Sequence, residues 1–107
     1  MLFITPLLSL ALATLAAAQE PPKAIFYKFN DYQGSGFTIY ISGSSPCYNW
    51  GLQNFSPRSA KLDEGVRCFL YTDHECKAEQ DRLTSGAEIP ALHHRQGSVR
   101  CELVPKF

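Results

Sequence analysis

The sequence has no surplus of charge of either sign: 10 lysines and arginines stand against 10 aspartates and glutamates. A phosphate-backbone binder needs a basic surface and a polybasic membrane anchor needs a cationic run, so the balance argues against both. Charged residues are missing altogether from residues 1–18. No window holds a helical period for long. The best helix candidate, Glu75 to Leu83, has strong helix formers but no apolar stripe, and reads as a loop or ragged strand. There is no GxSxG, no HExxH, no phosphate-cradling glycine loop and no CxxC, which removes the common signatures of nucleophilic, zinc-dependent and nucleotide-binding enzymes. Setting residues 1–18 aside leaves 107 − 18 = 89 residues. That is one domain, too small for a two-domain enzyme or a dinucleotide-binding fold.

Residues 1–18 read as a signal peptide. An apolar stretch ends in Ala16-Ala17-Ala18, and small residues at these positions suit cleavage after Ala18. The stretch is short and Ala-rich for a membrane span, and Thr5, Pro6, Ser9 and Thr14 weaken that alternative. Residues 19–23 (QEPPK) read as a flexible lead-in, and residues 24–107 as the folded domain. The expected location is extracellular. In an oxidising compartment, Cys47, Cys68, Cys76 and Cys101 imply two disulfides, with three connectivities open. A metal site built from these thiols with His74, His93 and His94 is disfavoured by their irregular spacing. No cofactor is called for.

Strand signals dominate from Ala24 onward. Ala24–Tyr27, Phe37–Ile41, Ser59–Leu62, Val66–Tyr71 and Ser98–Val104 alternate or are rich in β-branched and aromatic residues. Cys47–Leu52 and Arg82–Thr84 are weaker strand candidates. Gly, Pro, Ser and Asn turns separate them, as in an all-β sandwich or barrel.

The two halves resemble each other. Tyr27-x4-Tyr32-x-Gly34, followed later by Ser59, stands beside Tyr71-x4-Cys76-x-Ala78, followed later by Ser98. The first of these resembles the signature of the βγ-crystallin Greek key. That resemblance implies a two-sheet Greek-key sandwich of two motifs, residues 24–63 and 66–104. It also implies that the glycine turns the first hairpin back over its sheet, that the second aromatic covers the first strand, and that the serine locks the fold-back. The second motif departs from the pattern at Cys76 and Ala78. Since alanine resists positive φ, the second hairpin is expected to fold differently. The resemblance also suggests which cysteines meet. If Tyr71 lies opposite Ser98, Cys68 lies opposite Cys101, where the first motif has Ala24 and Leu62. Cys47 is then left for Cys76. The chain is also similar to small secreted cysteine-containing proteins of filamentous fungi.

Many crystallin-like domains bind calcium through two Asn or Asp, two free positions, then Ser or Thr and Ser. In Asn54-Phe55-Ser56-Pro57-Arg58-Ser59 only Asn54 and Ser59 fit, and Arg58 brings a cation to the place of the metal. His93-His94-Arg95-Gln96-Gly97-Ser98 fits less well, so no metal is expected. Asn54-Phe55-Ser56 is also an N-glycosylation sequon, with Pro57 after it counting against use. His74, His93, His94, Glu75 and Arg95 are the catalytic candidates, but no motif places a carboxylate against an imidazole. Among the aromatics, Trp50 and Phe55 are expected in the core and Tyr48 at the surface.

The resulting expectation is a monomeric, non-enzymatic binding or structural module, effector-like or antimicrobial. Its target is an extracellular protein or a cell-wall or cell-surface glycan, bound through Tyr48, His93, His94 and Arg95. The alternative is a small ribonuclease-like hydrolase using His93 and His94. Only the three histidines change the charge between pH 5 and 7, so binding to an acidic polymer is expected to strengthen as pH falls.

Overall fold

The computed structural model describes residues 20–93 and 95–105. The signal-peptide reading of residues 1–18 and the role assigned to His94 fall outside the described residues. No described helix is long and apolar enough to cross a membrane.

Eight strands form two antiparallel four-stranded sheets. They are β1 (Lys23–Tyr27), β2 (Gly36–Tyr40), β3 (Tyr48–Asn49), β4 (Ser59–Leu62), β5 (Val66–Tyr71), β6 (Glu79–Leu83), β7 (Glu88–Ile89) and β8 (Ser98–Leu103). One sheet has the order β2-β1-β4-β7 and the other β3-β8-β5-β6. Each half therefore lends one short strand to the other half's sheet: β3 joins the second-half strands, and β7 joins the first-half strands. Neither half has a complete sheet of its own, which makes the pair one folding unit.

Alternation dictates what fills the space between the sheets. Ala24, Phe26, Ala60, Leu62, Val66, Cys68, Leu70, Val99 and Cys101 point inward and are buried. Trp50, 2% exposed, lies against Phe26 and Phe37 with ring centroids 5.3 and 5.4 Å away. Half-buried Phe55 packs on Trp50 at 5.5 Å. Tyr48, expected at the surface, is half-buried with its ring 5.5 Å from Phe37, because β3 pairs with β8 and draws it inward.

Strands β5 and β8 pair in the register Tyr71↔Ser98 and Cys68↔Cys101, and β1 and β4 pair Ala24 with Leu62. The structure links Cys68 to Cys101 and Cys47 to Cys76. The first bridge is wholly buried inside the sandwich. The second ties the segment before β3 to the fold-back hairpin of the second half.

Three local readings change. Strand β3 ends at Asn49 rather than Leu52, because the Asn49 side chain accepts the N–H groups of Gly51 and Leu52 and turns the chain. Strand β6 starts at Glu79, earlier than Arg82, since pairing with β5 overrides its helix-forming residues. Strand β1 starts at Lys23, inside the expected lead-in. Lys23 pairs with Tyr40, and Pro22 accepts the N–H of Ile41.

Candidate functional site

The two fold-back hairpins set the frame of the site. In the first, Asp31 and Tyr32 both have positive φ, and Gln33 N–H closes the turn on Asn30 O. A left-handed tyrosine costs about 1–2 kcal/mol, and three contacts offset it. Tyr32 N–H donates to Ser59 Oγ at 3.0 Å, its ring meets Tyr27 edge-on at 5.8 Å, and Lys61 Nζ sits 4.3 Å over the ring. Ser59 Oγ in turn donates to Phe29 O at 2.6 Å.

The second hairpin keeps this lock. Cys76 N–H donates to Ser98 Oγ at 3.0 Å, and Ser98 Oγ donates to Asp73 O at 2.6 Å. It differs where the sequence suggested. Ala78 is not left-handed, whereas Gly34 has φ +83°. Thr72 N–H bonds Ala78 O, while the equivalent Lys28 N–H reaches Ser35 O, so the second hairpin is one residue shorter. A bulge between Leu70 and Tyr71 restores the register. The Asp73 carboxylate accepts the N–H groups of Glu75, Lys77 and Ala78. These bonds, that of Ala78 foremost, hold its pKa below the usual aspartate value.

At one end of the sandwich the hairpins and the loops after β3 and β7 enclose a two-part cleft. One part, about 460 Å³, is lined by Ser56, Pro57, Arg58, Leu92, His93 and Arg95. The other, about 430 Å³, is lined by residues that include Lys28, Trp50, Asn54, Phe55, His74 and Arg95. Ser56 and Arg95 belong to both. The sequence fixes its walls through backbone bonds. Arg58 N–H donates to Tyr27 O at 2.9 Å, and in the second half Gly97 N–H donates to Tyr71 O at 2.8 Å. Leu92 N–H donates to Arg58 O, and Trp50 N–H to Gly97 O. His74 Nδ1 lies 3.2 Å from Gly97 O. Gly97 is required there, since a Cβ would come within 2.5 Å of Asp73 O.

The charges of the cleft are one-sided. Its lining includes Lys28, Arg58 and Arg95, with His74 and His93, and none of the described carboxylates. Five of the nine described lysines and arginines form ion pairs: Lys23, Arg67, Lys77, Arg82 and Arg100. Of the other four, Lys61 covers Tyr32 and Lys28 Nζ sits 5.8 Å from the centre of the Phe29 ring; Lys28, Arg58 and Arg95, none of them in an ion pair, all line this cleft. The acidic neighbours of His74 are engaged elsewhere. Asp73 holds its own hairpin, and Glu75 pairs with Lys77 at 3.4 Å.

In a second basic region, on the outer face of the β3-β8-β5-β6 sheet, every arginine is held in an ion pair. Arg67, Arg82 and Arg100 surround the Phe69 ring at 5.6, 4.8 and 5.0 Å. Glu102 bonds Arg67 at 2.7 Å and Arg100 at 3.3 Å, and Glu79 bonds Arg82. The Arg67 bond, ahead of the charge attractions, holds Glu102 below the usual carboxylate range.

The stretches aligned with calcium-binding motifs meet in the cleft, and their residues do not fit a hard cation. Ser59 Oγ is committed to Phe29 and Tyr32, Phe55 has no ligand oxygen, and Arg58 and Arg95 place guanidinium groups in the same space. Among the described residues no three His, Cys, Asp or Glu side chains gather as a metal site would need. Of the residues singled out in the sequence, His93 and Arg95 line one part of the cleft, and His74, Trp50, Asn54 and Phe55 line the other with Arg95. Tyr48 does not line it. Lys28 was not singled out, and Arg58 only as an obstacle to metal; the available signal was a basic residue at the start of the first hairpin and another just before Ser59.

No family model matches the sequence, and no curated protein matches it. Solved structures do. The chain is similar to a βγ-crystallin domain from Flavobacterium johnsoniae, with a TM-score of 0.64 and 19% identity, covering 78% of this chain and 98% of that one. It is similar to the N-terminal domain of protein S, with a TM-score of 0.63 and 18% identity over 78% and 99%. Spherulin 3a from Physarum polycephalum matches with a TM-score of 0.59 and 17% identity over 84% and 93%. With the repeated serine lock, the exchanged short strands and these likenesses together, the chain has the βγ-crystallin fold.

Proposed function

We propose that the protein is a secreted, non-enzymatic binding module that engages a cell-wall or cell-surface glycan, or an extracellular protein, through the cleft lined by Arg58, His93 and Arg95. The observation that carries this reading is the concentration in this cleft of Lys28, Arg58 and Arg95, none of which forms an ion pair. Two disulfides suit an oxidising environment, as the apolar leader at residues 1–18 does. His93 has no carboxylate beside it in the lining to act as an acid–base partner, which weighs against the hydrolase alternative. An effector-like or antimicrobial role fits a small module of this kind. Asn54, exposed and left-handed in its sequon, is the proposed glycosylation position.

The test is a pull-down from cell-wall and extracellular extracts with the oxidised protein and an Arg58→Glu/Arg95→Glu variant, alongside turnover assays on RNA and cell-wall polymers. Retention lost in the variant, with no turnover, supports the module. Polymer cleavage abolished by His93→Ala/His94→Ala overturns it in favour of the hydrolase.

A further inference from the structure

We infer that the cleft is an oxyanion site, and that its ligand is an acidic polysaccharide bearing carboxylate or sulfate groups. The inference rests on the binding-module reading and adds the chemistry of the ligand. Guanidinium groups present paired N–H donors that match carboxylate and sulfate oxygens, and an unpaired arginine keeps those donors available. Arg95 is shared by both parts of the cleft, Arg58 lies in one and Lys28 in the other. Cations thus follow one another along the cleft, as charged groups recur along an acidic polymer. Arg58 and Arg95 stand in the stretches where related folds would hold calcium, so the sign of the preferred ligand is reversed.

Three observations narrow the ligand class. Each part of the cleft, about 460 and 430 Å³, falls within the range of about 300–1,000 Å³ that suits small ligands, so it has room for a sugar unit. Half-buried Phe55, packed on Trp50, gives the second part an apolar wall against which a sugar ring can lie. The net charge of zero, with most other described cations already paired, leaves no extended basic track for a nucleic acid.

The experiment uses the oxidised full-length mature protein, made without glycan at Asn54. Calorimetric titrations at fixed ionic strength employ polygalacturonate, its methyl ester, dextran sulfate and dextran. Binding to one or both charged polymers, with none to the neutral partners, is the expected result. Binding only to polygalacturonate assigns carboxylate, and binding only to dextran sulfate assigns sulfate. Arg58→Gln/Arg95→Gln should weaken binding about tenfold or more while thermal unfolding stays unchanged, and Arg67→Gln/Arg82→Gln should leave affinity unaltered. Equal binding to charged and neutral polymers overturns the oxyanion inference and leaves the module reading standing. No binding to any of the four, or loss only in Arg67→Gln/Arg82→Gln, also overturns it; the extract pull-down then judges the module separately.

Discussion

Tyr32 and Cys76 hold the same place in the two halves of the molecule. Each has a left-handed backbone, with φ of 61° and 57°, and each donates its N–H to a serine hydroxyl at 3.0 Å. In the first half an aromatic ring secures the hairpin; in the second, a disulfide to Cys47 does so. The two hairpins therefore differ in how much they depend on their serines.

Ser59→Ala removes the acceptor for Tyr32 N–H and the donor to Phe29 O inside a buried site. A loss of about 1–3 kcal/mol is expected. Ser98→Ala should cost less while Cys47–Cys76 is intact, and more in a Cys47→Ser/Cys76→Ser background. Denaturant unfolding of the single and combined variants checks the coupling.

The buried bridge Cys68–Cys101 has an apolar counterpart in Ala24 and Leu62. Replacing it with Ser at both positions should destabilise by about 2–5 kcal/mol, with two buried hydroxyls adding to the loss. Cys68→Ala with Cys101→Leu, which copies the first half, should lose less. Thermal melts of the two double variants compare them directly.

Gly34→Ala forces alanine to φ +83° and brings its Cβ within 2.6 Å of the Phe29 ring. The exposed ring can swing aside, so the backbone term of about 1–2 kcal/mol sets the expected loss. Ala78→Gly should cost less than about 1 kcal/mol, because that position is not left-handed and the effect comes through the unfolded chain. Chemical unfolding midpoints give the ordering.

The alternating strands β1, β2, β4, β5 and β8 were legible because each has an inward row that fills the core. Strand β7 was not: Glu88 and Ile89 are two residues ahead of a proline, and only their pairing with Lys61 and Ala60 makes them a strand. The serine lock was readable from Tyr27, Tyr32, Gly34 and Ser59. The cleft was readable only in fragments. His93 and Arg95 form one local run, but Lys28, Arg58 and His74 reach the same space from the ends of β1, β4 and β5, a meeting that spacing does not reveal.

Asp73 and Glu102 both have pKa values held below the ordinary range in the folded protein. Their stabilising effect is present above the unfolded carboxylate pKa and is lost as pH falls through the lowered folded value. Stability should therefore drop in acid. Asp73→Asn should start lower at neutral pH and lose less on acidification, as unfolding curves across pH would record.

The central claim is that the unpaired cations of the cleft, not the paired arginines around Phe69, form the binding surface. Amide chemical-shift mapping during titration with short oligogalacturonates tests it most directly. The account predicts shifts concentrated at residues 28, 54–56, 58, 74, 92, 93 and 95–97. Shifts centred on Arg67, Phe69, Arg82 and Arg100, with the cleft amides unmoved, would contradict it.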